Sequence, residues 1–460
     1  MEAAAPCRSC WRQKGRRRLR ARACAVLEPI GAALSQIFQW PDFLLIPLGM
    51  LVGLFAGLVP GLNAPIAMAI LLPVTFDMTP VQAMMLLVPI IGAADVGGSL
   101  TAILVGVPGT SVNVATTLDG HMMARQGRAA EAIGASVTAS AMGSLIGLVV
   151  LVALLPVMRS VVMLFGPPEF FLLALSAIVA LSVLTRGHVL DGLIAGATGL
   201  VLSSVGFNPV LGGLRYTFGW DYLWDGFHLI PFFLGLYGIT ESLQLVATRN
   251  SVAPLEGGSR TGLLEGVRAV FRHWGLLLRS SAIGMFIGAV PVLGGTVAAL
   301  VGYAQAKQTA RDPEAFGRGD VRGAIAPESA NDAKDGGALV TTLALGIPGS
   351  EVYVVLLGAF LLHGILPGRS LLTEHQDVVW TIILAMVIGN LMRSATVLAV
   401  GRILAAITRI PTAYLSPVIL MSSLIGAYAV RENPLDSLVA LAFGVVGLLM
   451  ERFGIPRLIT

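Results

Sequence analysis

Charge is scarce in this sequence: Asp, Glu, Lys and Arg make up 12% of its 460 residues, about half the share that soluble domains carry. An ordinary water-soluble domain is thereby excluded. Cysteine is scarcer still. All three cysteines (Cys7, Cys10 and Cys24) lie in the first 24 residues. Cys7 and Cys10 form a C-x-x-C, but no second pair or neighbouring histidine completes the four ligands of a structural zinc site. The six histidines show no H-x-x-x-H or HExxH spacing, so no metal role is assigned. No G-x-x-x-x-G-K-[ST] loop occurs, which leaves ATP-driven chemistry without support.

Apolar residues fill the space that charge leaves: 55% of the chain is hydrophobic. Windows of about 20 apolar residues, enough to cross a bilayer's hydrocarbon core, recur from Phe43 to Leu449. The expected fold is an all-α polytopic membrane protein with about 10 to 12 membrane segments. Basic residues concentrate in the first 22 positions, in 249–279 and in 305–335. The formal charge of +4 is read through the positive-inside rule, not as nucleic-acid binding. That reading places the tail and 249–279 on the cytoplasmic side. The tail is no convincing signal peptide, because Glu28 and Pro29 interrupt any apolar core after its basic start. Either a disordered basic arm or an over-long gene start accounts for it.

Glycine (54) and proline (25) are frequent, and many fall inside the apolar runs. Broken backbone at membrane depth is tolerated where protein buries it or a polar cavity receives it. The stretch VGVPGTSVNVATTLDG (105–120) shows the pattern: Pro108 and Gly109 interrupt the helix, and hydroxyls and an amide follow at once. Proline cannot donate a backbone N–H and glycine permits positive φ. A helix restarting there offers free N–H groups and the positive end of a dipole, which suits an anion. Close helix packing through small residues is the competing explanation of the same composition.

The pattern recurs. ADVGGSLTAILVGVPGT (94–110) aligns without a gap on KDGGALVTTLALGIPGS (334–350), placing Asp95 on Asp335, Thr101 on Thr341, Pro108 on Pro348 and Thr110 on Ser350. Upstream, GLVPGLNAPIAMAI (57–70) resembles GAVPVLGGTVAALV (288–301). Two internal repeats are expected, each with Pro/Gly-broken or re-entrant helices. Such interrupted segments at matching places in two halves point to a transporter's binding site. The division expected is a basic tail over 1–40, a first membrane repeat over 41–247, a polar linker over 248–280 and a second membrane repeat over 281–460.

Four breaks then supply candidate substrate-binding residues. The first offers Gly61 and Asn63. The second offers Ser99, Thr101, Pro108, Gly109, Thr110 and Ser111. Gly295 and Thr296 form the third, while Ser329, Asn331, Thr341, Pro348, Gly349 and Ser350 form the fourth. Asp95 is the only charge in VQAMMLLVPIIGAADVGGSLTAILV, and an ionisable group inside a membrane segment is a functional suspect. It and Asp332 are the candidate coupling-ion residues. Glu328, Asn331 and Asp332 are expected either along the substrate path or in a solvated loop. Asp119 is expected as an interfacial loop or cap, with Glu241 and Arg393 near membrane ends.

At these residues a family resemblance becomes visible. GLVPGLN, GGSLTAILVGVPGTSVNVATTLDGHMMARQGRAAEA, FGRGDVRGAIAPESANDA and LGIPGSEVYVVLLGAFLLHGILPG resemble the large membrane subunit of the tripartite tricarboxylate transporters, from about Phe43 onward. The resemblance implies secondary uptake of carboxylates with sodium or protons as coupling ion and no other cofactor. It also implies a small membrane subunit, a periplasmic solute-binding protein and a multi-pass location in a bacterial inner membrane. Three features depart from the family pattern. Pro291-Val292-Leu293-Gly294 replaces a Pro-Gly pair, Asn331-Asp332 replaces paired asparagines, and the chain stops at FGIPRLIT, where relatives continue. Two other classes stay open from the residues alone: an intramembrane aspartyl enzyme using Asp95 with Asp335, and a channel.

Overall fold

The computed structural model describes residues 30–59, 62–106, 108–162, 189–208, 212–228, 231–232, 234–240, 242–243, 261–291, 293–404, 415–429 and 431–453, with scattered positions between 166 and 175. Gly61, Glu241 and the three cysteines lie outside these residues. In chain order the helices are α1 (Ile30–Ile37), α2 (Leu45–Leu58), α3 (Ala64–Leu71), α4 (Pro80–Val105), α5 (Val114–Arg125), α6 (Ala129–Val162) and α7 (Val189–Ser203). After the small hairpin β1 (Gly206–Asn208) and β2 (Gly213–Arg215), α8 (Thr261–Arg272), α9 (Trp274–Ala289), α10 (Gly294–Thr309) and α11 (Arg322–Leu345) follow. Then come α12 (Glu351–Leu362), α13 (Arg369–Thr373), α14 (Gln376–Leu404), α15 (Leu415–Ala429) and α16 (Pro434–Arg452). The end of the expected tail is thus helical, and the second part of the expected linker forms α8 and the start of α9.

Local chemistry sets the ends of the two central helices. Thr79 opens α4 with a capping box: its hydroxyl accepts from the Gln82 N–H, and the Gln82 side chain accepts from the Thr79 N–H, so two orphan donors are satisfied together. Pro80 takes the first helical position, where no N–H is needed. At the far end Gly106 turns left-handed with φ 75°, and α11 stops the same way at Gly346 with φ 68°. Only glycine enters that region without a steric penalty.

Small residues bring the helices into close contact. Gly49, Gly53 and Gly57 line one side of α2, and a Cβ on Gly57 would sit 1.9 Å from the Ala94 carbonyl oxygen on α4. Across the second half, a Cβ on Gly288 of α9 would sit 2.0 Å from the Lys334 carbonyl oxygen on α11. From its other side α6 presses Gly143 and Gly147 onto Ser329 and Ala333 of α11. Both α4 and α11 are buried almost end to end.

Among the described residues, three helices (α4, α6 and α14) are long and apolar enough to cross a membrane, or four if α1 and α2, bent by 86°, count as one span. The ten to twelve segments expected were counted over the whole sequence, and FFLLALSAIVALSVL (170–184) lies mostly outside the described residues. Other apolar segments are broken: Ala64–Thr75, Trp274–Ala289, Glu351–Leu362 and Pro434–Met450 are apolar but only 10–17 residues long. The 24-residue α11 falls short for another reason, since it carries Glu328, Asp332, Lys334 and Asp335. Those charges face protein, and of the two placements expected there the solvated loop is excluded, since the residues lie in a buried helix. Outward-facing apolar side chains such as Val149 on α6 and Phe286 on α9, 67% and 74% exposed, form a surface suited to lipid.

Candidate functional site

Four chain segments converge on a cavity of about 250 Å³. They are Asn63–Pro65 at the start of α3, Thr110–Val112 between α4 and α5, Leu293–Thr296 at the start of α10, and Ser350–Val352 at the start of α12. Asn63 caps α3 by accepting from the Ile66 N–H at 3.2 Å. Thr296 and Ser111 hydroxyls meet at 3.1 Å, joining one segment from each half. Ile91 and Asp95 of α4 and Lys334 of α11 complete the lining. The sequence therefore delivers hydroxyls and helix starts to a common space.

The charges beneath them are interlocked. Lys334 Nζ stands 2.8 Å from Asp335 Oδ1 and 3.6 Å from Asp95 Oδ2. Asn331 donates to Asp95 Oδ2 at 3.0 Å, and the Tyr353 hydroxyl donates to Asp335 Oδ1 at 3.0 Å. A buried ion pair persists only when hydrogen bonds satisfy what the partner leaves open. Two carboxylates and one ammonium leave this cluster formally one charge negative when all are ionised. It can therefore receive a cation at Asp95, while the helix starts, hydroxyls and ammonium suit a carboxylate. Asp95 and Asp335 each meet Lys334, so neither relies on sharing a proton with the other as an aspartyl dyad does.

Of the sequence candidates, Asn63, Asp95, Thr110, Ser111, Gly295, Thr296 and Ser350 line the cavity. Ser99 and Asn331 stand behind that lining, bonded to Asn113 and Asp95 respectively. Three others serve the backbone. Thr101 and Thr341 turn their hydroxyls to Gly98 and Ala338 carbonyls, and Ser329 bonds the Ala326 carbonyl. Gly109 packs where a Cβ would lie 2.3 Å from the Gly57 carbonyl oxygen. Gly349 packs likewise on Ala338, and Pro108 and Pro348 stand in the breaks outside the cavity lining. Asp332 is not brought to the cavity either; it pairs with Arg393 and Ser140.

That pairing corrects the expected place of Arg393. It is 2% exposed and held also by Asn390, so its side chain does not reach water as a snorkelling arginine's would. Asp119 is corrected too: it lies within α5, fully buried, and one carboxylate oxygen accepts the N–H groups of Gly317, Gly319 and Asp320. The other accepts the Tyr303 hydroxyl at 2.8 Å. In the loop it anchors, burial alone would raise the Asp320 carboxyl, but Arg322 hydrogen bonds and charge hold it below the usual carboxylate range. Lys334, Tyr353 and Arg393 were missed as functional residues by sequence reasoning. A signal existed for α11, since Glu328, Asn331, Asp332 and Asp335 fall at helical spacing and so share a face.

Comparison with known proteins bears on the same stretches. The pattern of the Tripartite tricarboxylate transporter TctA family matches residues 43–460. The chain is 33% identical over 417 residues to an uncharacterized 52.8 kDa protein in TAR-I ttuC' 3'region of Agrobacterium vitis, covering 88% of this chain and 81% of that one. It is also 33% identical over 171 residues to an uncharacterized protein in TAR-II ttuC' 3'region of the same organism, covering 37% of this chain and 71% of that one. No solved structure matches it. With its family pattern, its apolar helices and its interior polar cavity, the chain belongs to the tripartite tricarboxylate transporter TctA family and is a multi-pass membrane subunit of a transporter, not an enzyme.

Proposed function

We propose that this chain is the large membrane subunit of a secondary carrier for tricarboxylates or related carboxylates in a bacterial inner membrane. It works with a small membrane subunit and receives substrate from a periplasmic binding protein, with a sodium or proton gradient as the driving force. The observation that carries this reading is the meeting of hydroxyls and helix starts from both halves above the Asp95–Lys334 pair. A repeat origin for the site is supported by the matching left-handed stops at Gly106 and Gly346 and the matching close contacts of Gly57 and Gly288. Interrupted helices offering N–H groups to an anion at such a meeting point fit a carrier.

The test is uptake of labelled citrate into proteoliposomes holding this chain and its small membrane partner, with binding protein added and each gradient imposed in turn. Saturable, gradient-dependent accumulation is expected, weakened by both Thr110→Ala and Ser350→Ala. If folded protein accumulates neither citrate nor any other di- or tricarboxylate under either gradient, the carrier reading fails.

A further inference from the structure

Among the described residues, each buried carboxylate but one is paired with a cation or gathers donors on both of its oxygens or from the backbone. Asp95 and Asp335 share Lys334, Asp332 has Arg393, and Asp436 has Arg431. Asp119 has no cation but collects three backbone N–H groups and a tyrosine hydroxyl. Glu328, in α11 and 1% exposed, has none of these. Two acids lie close by: Asp332, one turn along its own helix, and Asp95 on α4, one turn before the Ser99 that bonds it. From α5 the neutral Thr116 donates to it.

Its hydrogen bonds are lopsided. Ser99 and Thr116 both donate to Oε1, at 2.7 and 2.5 Å, and so fill the lone pairs of that oxygen. Oε2 is buried and has no partner. An ionised carboxylate spreads its charge over two oxygens, and here one would be dry and unmet, an arrangement that strongly disfavours ionisation. A neutral carboxyl fits these contacts: Oε1 is its carbonyl oxygen, accepting two hydrogen bonds, and Oε2 carries the proton. Ser99 also accepts from Asn113, whose amide oxygen accepts from Thr110 at the cavity wall. A continuous polar chain thus joins Glu328 to the proposed substrate space.

We propose that Glu328 is a proton carrier of the transport cycle, loaded on Oε2 in the conformation seen here. The proton comes from water on one side of the membrane and leaves to water on the other, with no other bond made or broken. The Ser99–Asn113–Thr110 chain makes the state of the carboxyl sensitive to substrate. This rests on the carrier reading above and names its coupling ion and the group that holds it, apart from Asp95 and Asp332.

Infrared difference spectroscopy of the purified full chain at neutral pH tests the loaded proton without any need for transport. Wild type minus Glu328→Gln is expected to show the carbonyl stretch of a protonated carboxyl, and absence of that band overturns the proposal. Thr116→Val keeps Glu328 and removes one donor to its carbonyl oxygen, so the band is expected to shift; an unmoved band also overturns it. In proteoliposomes, Glu328→Gln is expected to lose proton-driven citrate accumulation and retain citrate–citrate exchange. Proton-driven accumulation surviving in Glu328→Gln, or exchange lost with it in folded protein, counts against the carrier role. A wild type that shows the band but transports no carboxylate would instead sink the carrier reading itself.

Discussion

Replacing Lys334 by methionine would leave Asp95 and Asp335 buried without the ammonium they share. Removing one partner of a buried pair typically costs about 3–5 kcal/mol, because the remaining charge is stranded. Lys334→Met is therefore expected to lower the unfolding temperature in detergent sharply, and adding Asp335→Asn should restore part of it. A double variant as unstable as the sum of its singles would show that the two residues are not coupled. Asp320 offers a pH test of opposite location, in the polar loop before α11. Its carboxyl lies below its ordinary value when folded, so it stabilises above the unfolded value of about 3.9 and loses that contribution as pH falls further. The stability gap between wild type and Asp320→Asn is expected to persist above about pH 4 and to close below it. A gap that widens in acid would refute the pairing with Arg322. Asp95 was legible in the sequence because it interrupts a long uncharged run. Arg393 and Asp332, by contrast, are 61 positions apart, and nothing local announces that one neutralises the other.

At the scale of elements, close helix approach and tolerance of extra volume are inversely linked. Gly288 and Gly275 occupy the same helix, α9, but a Cβ on Gly275 would meet nothing within 4 Å. Gly288→Ala should force α9 away from α11 at a cost of about 1–3 kcal/mol, the usual range for overpacking. Gly275→Ala should be neutral or stabilising by up to about 1 kcal/mol, since alanine has less freedom to lose. Thermal unfolding of the two variants side by side decides it; equal effects would mean the α9–α11 contact is not tight. The helix breaks were readable beforehand because proline and glycine mark them chemically. Helix α11 was not, because a run as polar as PESANDAKD reads as loop until its neighbours are known. What makes it a helix is tertiary: α4, α5, α6, α12 and α14 each supply a partner or a close contact.

For the whole molecule, the outward apolar surface has a measurable meaning. Val149 lies midway along α6 and is 67% exposed. A charge at the centre of a spanning helix costs about 2.5–3.5 kcal/mol on insertion scales. Val149→Arg is accordingly expected to reduce the amount of protein recovered in the membrane fraction, whereas Arg on the exposed polar loop, as in Glu314→Arg, should not. Equal recovery of both would mean that Val149 does not face lipid. One arrangement inside the molecule limits how it can move. Helix α11 is tied at each polar turn, to α4, α5, α12 and α14: Ser99 and Thr116 reach Glu328, Asn331 reaches Asp95, Arg393 reaches Asp332, and Tyr353 reaches Asp335. A slide of one helical turn, about 5.4 Å, would break every tie together and strand several buried charges. Spin-label distances between α11 and α14 that change with substrate would contradict the consequence. In a carrier, these ties are expected to hold while the chain opens to either side of the bilayer, so the helices around the cavity are expected to move as one block, with the sliding seam where no such ties cross.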